Sequence, residues 1–203
     1  MSTPLQHLKK DPALAAIIEH WGDYGIRYRP PTFETLVRSI VSQQLNGKAA
    51  STIFGRLHAA AGEEEMTPGG ILALSPERLR EIGLSGQKSS YVRDLATKAR
   101  DGSVVFESLP DMDDESVIKH LTAVKGIGVW TVQMFLMFAL QRQDVLPTAD
   151  LGIRTAMKRA YGLPELPKPD EMVKIAAPWA PHRTMACWYL WRSLDNMGGA
   201  DLG

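Results

Sequence analysis

Apolar residues recur at helical spacing along nearly the whole chain. Phe33, Leu36, Val37, Ile40 and Val41 form one stripe, Ile53, Phe54 and Leu57 form another, and a long apolar run covers Val129 to Leu140. Ser103-Val104-Val105-Phe106 stands apart as a short strand-like stretch. The pattern predicts an all-α fold. Several helix starts are legible from punctuation alone. Asp11-Pro12 supplies an N-cap with proline at the first helical position, and Ser75-Pro76-Glu77 does the same with an acid in the first turn. Pro30 and Pro31, beside Tyr28-Arg29, close the first segment, while Pro164, Pro167 and Pro169 separate a helix over Leu151 to Tyr161 from the last two.

Two interruptions carry more than punctuation. Within the pattern from Phe33 to Ala61 lies Ser42-Gln43-Gln44-Leu45-Asn46-Gly47-Lys48. Glycine inside a helix costs about 1 kcal/mol relative to alanine, so this stretch predicts a break with Gln44, Leu45 and Asn46 exposed. On its own it is an ordinary helix connection. Further on, Gly126 and Gly128 straddle Ile127 between two periodic segments, which predicts a very tight helix-to-helix turn. The N-terminus of the second helix then offers backbone N–H groups and a favourable dipole to a phosphate oxygen, and Lys125 stands beside it. A plain helical hairpin is the alternative. Gly83 and Gly86, flanking Leu84-Ser85, repeat the theme more loosely, with a helix following from about Gln87 that carries Lys88, Arg93, Lys98 and Arg100.

Asp150 precedes the predicted helix Leu151 to Tyr161, and its obvious role is an N-cap. A carboxylate can cap a helix and still present an oxygen to a cavity. Trp130, Met134, Met137 and Phe138 lie on one helical stripe, and Trp188, Tyr189 and Trp191 cluster near the C-terminus. Such stripes are usually core, but an indole N–H needs a partner when buried, so five tryptophans leave room for a pocket.

Composition narrows the classes. At 203 residues and 22.4 kDa the chain can form one compact domain or two small lobes. Its 23 basic and 23 acidic residues cancel, so bulk charge points to no polyanionic partner. The single cysteine, Cys187, excludes an internal disulfide, a Cys-ligated zinc and a four-cysteine iron–sulfur cluster built within the chain. No apolar run reaches the about 20 residues that a membrane span needs, and Met1-Ser2-Thr3-Pro4 opens no signal-peptide pattern. The acidic runs at 63–65 and from Asp111 to Glu115 read as solvated faces.

Three strings taken together have a specific likeness. Leu121-Thr-x-Val-Lys-Gly-Ile-Gly-x-Trp-Thr131, then Asp144-Val-x-Pro-x-x-Asp150-Leu-Gly-Ile-Arg154, preceded by Ser-Ile-Val-Ser-Gln-Gln-Leu45, closely resemble the helix-hairpin-helix base-excision DNA glycosylases of the DNA-3-methyladenine glycosylase II type. The resemblance covers roughly residues 11 to 195. It implies two helical lobes with the active-site cleft between them: residues 33–142, with the helix-hairpin-helix at about 118–140, and residues 1–32 plus 143–203. The N-terminal β domain of the family's larger bacterial member is not expected in this chain.

The resemblance also implies roles. Asp150 maps onto the catalytic carboxylate. Trp130, Met134 and Trp191 map onto the base pocket, with Met134 standing where the larger member has a tyrosine. Family members that also cut the backbone carry a lysine at the position of Trp130, so the chain is expected to be a monofunctional glycosylase without lyase activity. Gln44, Leu45 and Asn46 correspond to the element that fills the gap left by an extruded nucleotide. Lys125, Gly126, Ile127 and Gly128 are the expected DNA contacts at the hairpin, and the looser glycine turn, read from its residues alone, adds Gly83, Gly86 and Lys88. Backbone carbonyls of Thr122, Val124 and Ile127 correspond to a monovalent cation site for a structural Na+ or K+, and no other cofactor is expected. The implied partner is double-stranded DNA containing alkylated purines, acted on by a monomer in the bacterial cytoplasm, nucleoid-associated, or in the nucleus if eukaryotic, with no membrane association. Two other readings compete: a non-catalytic helix-hairpin-helix DNA-binding module, and a glycosylase of the same superfamily for other damaged bases. Asp150 with its flanking aromatics favours catalysis, because a phosphate binder needs neither.

Overall fold

Most of the helices begin where a short polar side chain takes up an otherwise orphaned N–H. In the computed structural model, which describes residues 3–62 and 66–194, Thr3, Asp11, Thr32, Asn46, Thr67, Ser75, Ser85, Asp113 and Asp150 each cap a helix in this way. The acidic run at 63–65 lies outside the described residues. That from Asp111 to Glu115 is more than a solvated face: Asp113 caps Asp114–Thr122, and Asp114 and Glu115 complement the positive end of its dipole. All regular structure among the described residues is helical. No helix there is long and apolar enough to cross a membrane.

The backbone groups into two compact units. One draws on segments 1–28 and 136–203. Its described helices are α1 (Pro4–Leu8), α2 (Pro12–Trp21), α10 (Leu151–Ala160), α11 (Pro169–Ala176) and α12 (Arg183–Arg192), and α12 packs against both α2 and α10. Trp179, Tyr189, Leu14 and Met172 fill the interior. Asp11 ties this unit together. Its Oδ1 caps α2 by accepting from the Ala13 and Leu14 N–H groups, while Oδ2 accepts from Tyr161 Oη at 2.6 Å and Trp179 Nε1 at 3.0 Å. Burial pushes this carboxyl up, but the four donors outweigh it and hold the group below its ordinary range.

The other unit spans residues 29–135 and holds α3 (Phe33–Ser42), α4 (Gly47–Ala61), α5 (Pro68–Ala73), α6 (Pro76–Ile82), α7 (Gly86–Arg100), α8 (Asp114–Thr122) and most of α9 (Val129–Phe138). Helix α7 packs on α3, α5 and α6, and Val92, Leu95 and Ala96 of α7 are buried, as are Leu36, Val37 and Ile40 of α3. The strand-like stretch Ser103–Phe106 is not a strand. No neighbouring strand is present to pair with it among the described residues. Instead the Val104 N–H donates to the Lys98 carbonyl at the end of α7, Ser103 N–H donates to Asp101, and Phe106 opens a 3-10 turn ending at Asp111.

Candidate active site

The chain before Asp150 is fastened to α12. Arg183 forks onto Asp144 at 2.6 and 2.7 Å, while Thr184 Oγ1 donates to the Arg142 carbonyl and accepts from the Val145 N–H. The Arg183 guanidinium holds the Asp144 carboxyl below its ordinary range. From this anchor the chain turns through Pro147, whose carbonyl accepts from the Asp150 N–H at 3.0 Å, and Asp150 starts α10. The Asp150 side chain is 8% exposed. Its Oδ1 accepts from the Ile153 N–H at 2.7 Å and from Trp191 Nε1 at 2.9 Å. Trp191 is itself buried and stacks on Phe138, ring centres 5.9 Å apart.

Asp11 and Asp150 are therefore two versions of one device, a helix-capping aspartate that also accepts from a buried indole. They distribute these bonds differently. Asp11 divides its duties between its two oxygens, whereas the cap and the indole bond of Asp150 both fall on Oδ1.

The hairpin between α8 and α9 is built by contacts from elsewhere in its unit. Gly126 has φ of 76°, and a Cβ there would collide with the ring of Tyr91. Gln43 Nε2 donates to the Gly126 carbonyl at 2.9 Å. Asp94 Oδ2 accepts from the Lys125 N–H at 2.9 Å and from Lys98 Nζ at 2.8 Å. Partial burial pushes the Asp94 carboxyl up, yet these donors outweigh it and hold it low. Ile127 is buried, its N–H donating to Val124 at 3.2 Å, and Gly128 precedes α9, accepting its first helical bond from Val132. The two glycines differ: Gly128 has no positive φ, and nothing lies within 4 Å of a Cβ built on it.

The turn between α3 and α4 has the predicted exposure. Gln44 adopts φ of 57° and Leu45 is 38% exposed. Asn46, however, caps α4 through the Ala49 N–H at 2.9 Å, so it has a structural duty as well. Trp130, on α9, is 44% exposed, and Met134 one turn later is half-buried.

The family model described as HhH-GPD superfamily base excision DNA repair protein matches residues 37–181, most of the chain, Asp150 included. The chain belongs to the HhH-GPD superfamily. Among relatives, DNA-3-methyladenine glycosylase 1 of Schizosaccharomyces pombe is 37% identical over 79% of this chain and 72% of its own length. A solved S. pombe 3-methyladenine DNA glycosylase in complex with abasic DNA has a TM-score of 0.84 at 33% identity, covering 96% of this chain and 97% of that one. A DNA-3-methyladenine glycosidase from Bacillus halodurans has a TM-score of 0.85 at 36% identity, covering 97% and 91%.

In this HhH-GPD chain the α6–α7 turn shares part of the hairpin's geometry: Gly83, like Gly126, is left-handed, at φ 112°, but the Ser85 hydroxyl between the two glycines already accepts from the Lys88 N–H. Helix α7 starts at Gly86, where nothing lies within 4 Å of a Cβ. Lys88 is not an outward phosphate contact. Its ammonium donates to the carbonyls of Val41 and Gln43, both at 2.6 Å, which closes the C-terminus of α3 and holds the root of the Gln44 turn. Arg93 likewise donates to the Leu74 carbonyl.

The sequence reading missed Gln43, Tyr91 and Asp94, which hold the hairpin, and Arg183 and Thr184, which anchor the approach to Asp150. The partners lie 31 to 83 positions apart for the hairpin contacts of Asp94 and Gln43 and 39 for Arg183 with Asp144, so no local pattern could have joined them. Gly152 lies within the Asp150-Leu-Gly-Ile-Arg154 string, and a Cβ there would sit 3.0 Å from Asp150 Oδ1 and 3.1 Å from Trp191 Cδ1.

Proposed function

We propose that this protein is a monofunctional DNA glycosylase that hydrolyses the N-glycosidic bond of alkylated purines in double-stranded DNA. The observation that carries the reading is Asp150: a buried, doubly hydrogen-bonded carboxylate at a helix N-terminus. Breaking the bond from C1′ to the base sends the electron pair to the departing base and builds positive charge on the sugar. A fixed carboxylate stabilises that charge and takes a proton from the attacking water, whose oxygen bonds to C1′. An N3- or N7-alkylated purine is already cationic, so it leaves without a strong general acid. Support also comes from the relatives named for 3-methyladenine and from the relative bound to abasic DNA, which is the product such a reaction makes.

Trp130 occupies the place of a lyase lysine and cannot form a Schiff base. Its exposed ring suits a cationic base, a contact worth about 0.5–2 kcal/mol, with Met134 beside it on α9. At the hairpin, the backbone carbonyls of Thr122, Val124 and Ile127 are the groups that would hold a Na+ or K+, with the Val124 oxygen shared with the Ile127 N–H. The α8 C-terminus ends at Thr122, where helix carbonyls lack intrahelical donors and the dipole favours a cation. A bound ion would supply a positive charge between hairpin and phosphate.

Duplexes carrying single 3-methyladenine, 7-methylguanine, ethenoadenine or hypoxanthine residues test the proposal. Alkali-dependent strand breaks at the alkylated purines are expected, with none before alkali. Intact strands on every lesion overturn the reading, and breaks without alkali overturn the absence of lyase activity.

Leu45, unlike Asn46, can intercalate without dismantling a cap, because Asn46 holds α4. Unstacking a base costs a few kcal/mol. Leu45→Ala is therefore expected to slow single-turnover excision about tenfold on a fully paired duplex, with the melting temperature of the protein unchanged. The effect should shrink when the lesion faces an abasic site, and equal slowing on both substrates argues against a wedge.

A further inference from the structure

The geometry points to Trp191 as the positioning residue for Asp150, with Gly152 as the opening that lets the indole edge reach the carboxylate. This rests on the reading of Asp150 as the reacting group. A cap bond alone restrains one oxygen from one side, and the carboxylate can still rotate about its terminal torsion, which is broad for aspartate. A second donor onto the same oxygen, from a different helix, removes that freedom. Trp191 supplies it from α12, 2.9 Å away, while Ile153 supplies the first from α10.

The donor is itself held. Trp191 is 6% exposed, its ring is stacked on Phe138 with planes 29° apart, and α12 is clamped beside Asp144 by Arg183 and Thr184. Gly152 completes the arrangement. Its backbone has ordinary helical geometry, so conformational freedom does not explain the glycine, but a methyl group there would press on Asp150 Oδ1 at 3.0 Å and on Trp191 Cδ1 and Nε1 at 3.1 and 3.2 Å. A small displacement of a reacting group is enough to cost a large part of its rate.

Two variants of the full chain act on this pair in different ways. Trp191→Phe keeps an aromatic ring against Phe138 and removes the N–H, whereas Gly152→Ala keeps both partners and wedges them apart. Single-turnover excision at saturating protein, on duplexes carrying 7-methylguanine, reads the chemical step; affinity for a duplex with a tetrahydrofuran abasic analogue reads binding; melting temperature reads the fold. Each variant is expected to lose about 10–100-fold in rate with affinity within twofold, and the double variant to be no slower than the worse single one. The Trp191 indole N–H resonance should also move on Gly152→Ala, a readout independent of turnover. Unchanged rates, or a loss of affinity with the rate intact, overturn the positioning role alone. A wild-type protein that leaves every lesion in place overturns the glycosylase reading and the positioning role with it.

Discussion

Asp150→Asn is expected to leave a folded protein that binds DNA and excises alkylated purines about 10²–10⁴-fold more slowly than the wild type. The fold should survive because asparagine caps helices as well as aspartate does, and its side-chain oxygen can still accept from the Ile153 N–H and from Trp191. The chemistry should not, because a neutral amide neither stabilises positive charge on the sugar nor takes a proton from water. Asp11 supplies a control within the same molecule. It has the same capping and indole-accepting duties, so Asp11→Asn should lower stability and leave the rate per folded molecule intact. Single-turnover rates, fluorescence anisotropy with labelled duplex and thermal melts separate the two outcomes. Near-wild-type excision by Asp150→Asn would remove this carboxylate from the mechanism.

The two hairpin glycines should respond in opposite ways. Gly126→Ala forces an L-residue to φ 76° and drives its Cβ into the Tyr91 ring. Left-handed strain and overpacking together cost about 2–5 kcal/mol, a fall of roughly 5–20 °C in melting temperature for a chain of this size. Gly128→Asp meets open space at an ordinary φ, and an acid at the start of a helix is intrinsically favourable. Its melting temperature should hold. Its negative charge would face the phosphate that the α9 N-terminus is proposed to bind, so affinity should drop by a similar factor for every DNA sequence. Should Gly128→Asp bind normally, the hairpin is not the anchor; should Gly126→Ala melt like the wild type, the Tyr91 contact is not rigid.

How much could be read in advance depended on the range of the interaction. The capping residues, the turn at Gln44 to Asn46, the tight turn at Gly126 and the helix start at Asp150 are all signalled by residues within about four positions of one another, which is the range of helical periodicity and caps, although distant side chains then hold the two turns. The strand-like stretch at 103–106 failed for the opposite reason. A strand needs a partner, and the partner that Val104 found was the end of α7. Lys88 failed similarly: a lysine after a glycine turn looks like a phosphate contact until the C-terminus of α3 is seen to lie within its reach.

The sequence by itself determined the helical class, where most helices start, and the three motifs that mark an HhH-GPD chain, because these are properties of neighbouring residues. Only the tertiary structure decided what each motif residue does there. It gave Gly126 and Gly128 different duties by placing Tyr91 beneath one and nothing beside the other. It turned Asn46 and Lys88 into helix caps. It brought the Trp191 indole, 41 positions away, onto the oxygen of Asp150 that also caps α10. Such contacts join side chains far apart along the chain through the packing of α12 against α10, and chain order carries no record of which helices will meet.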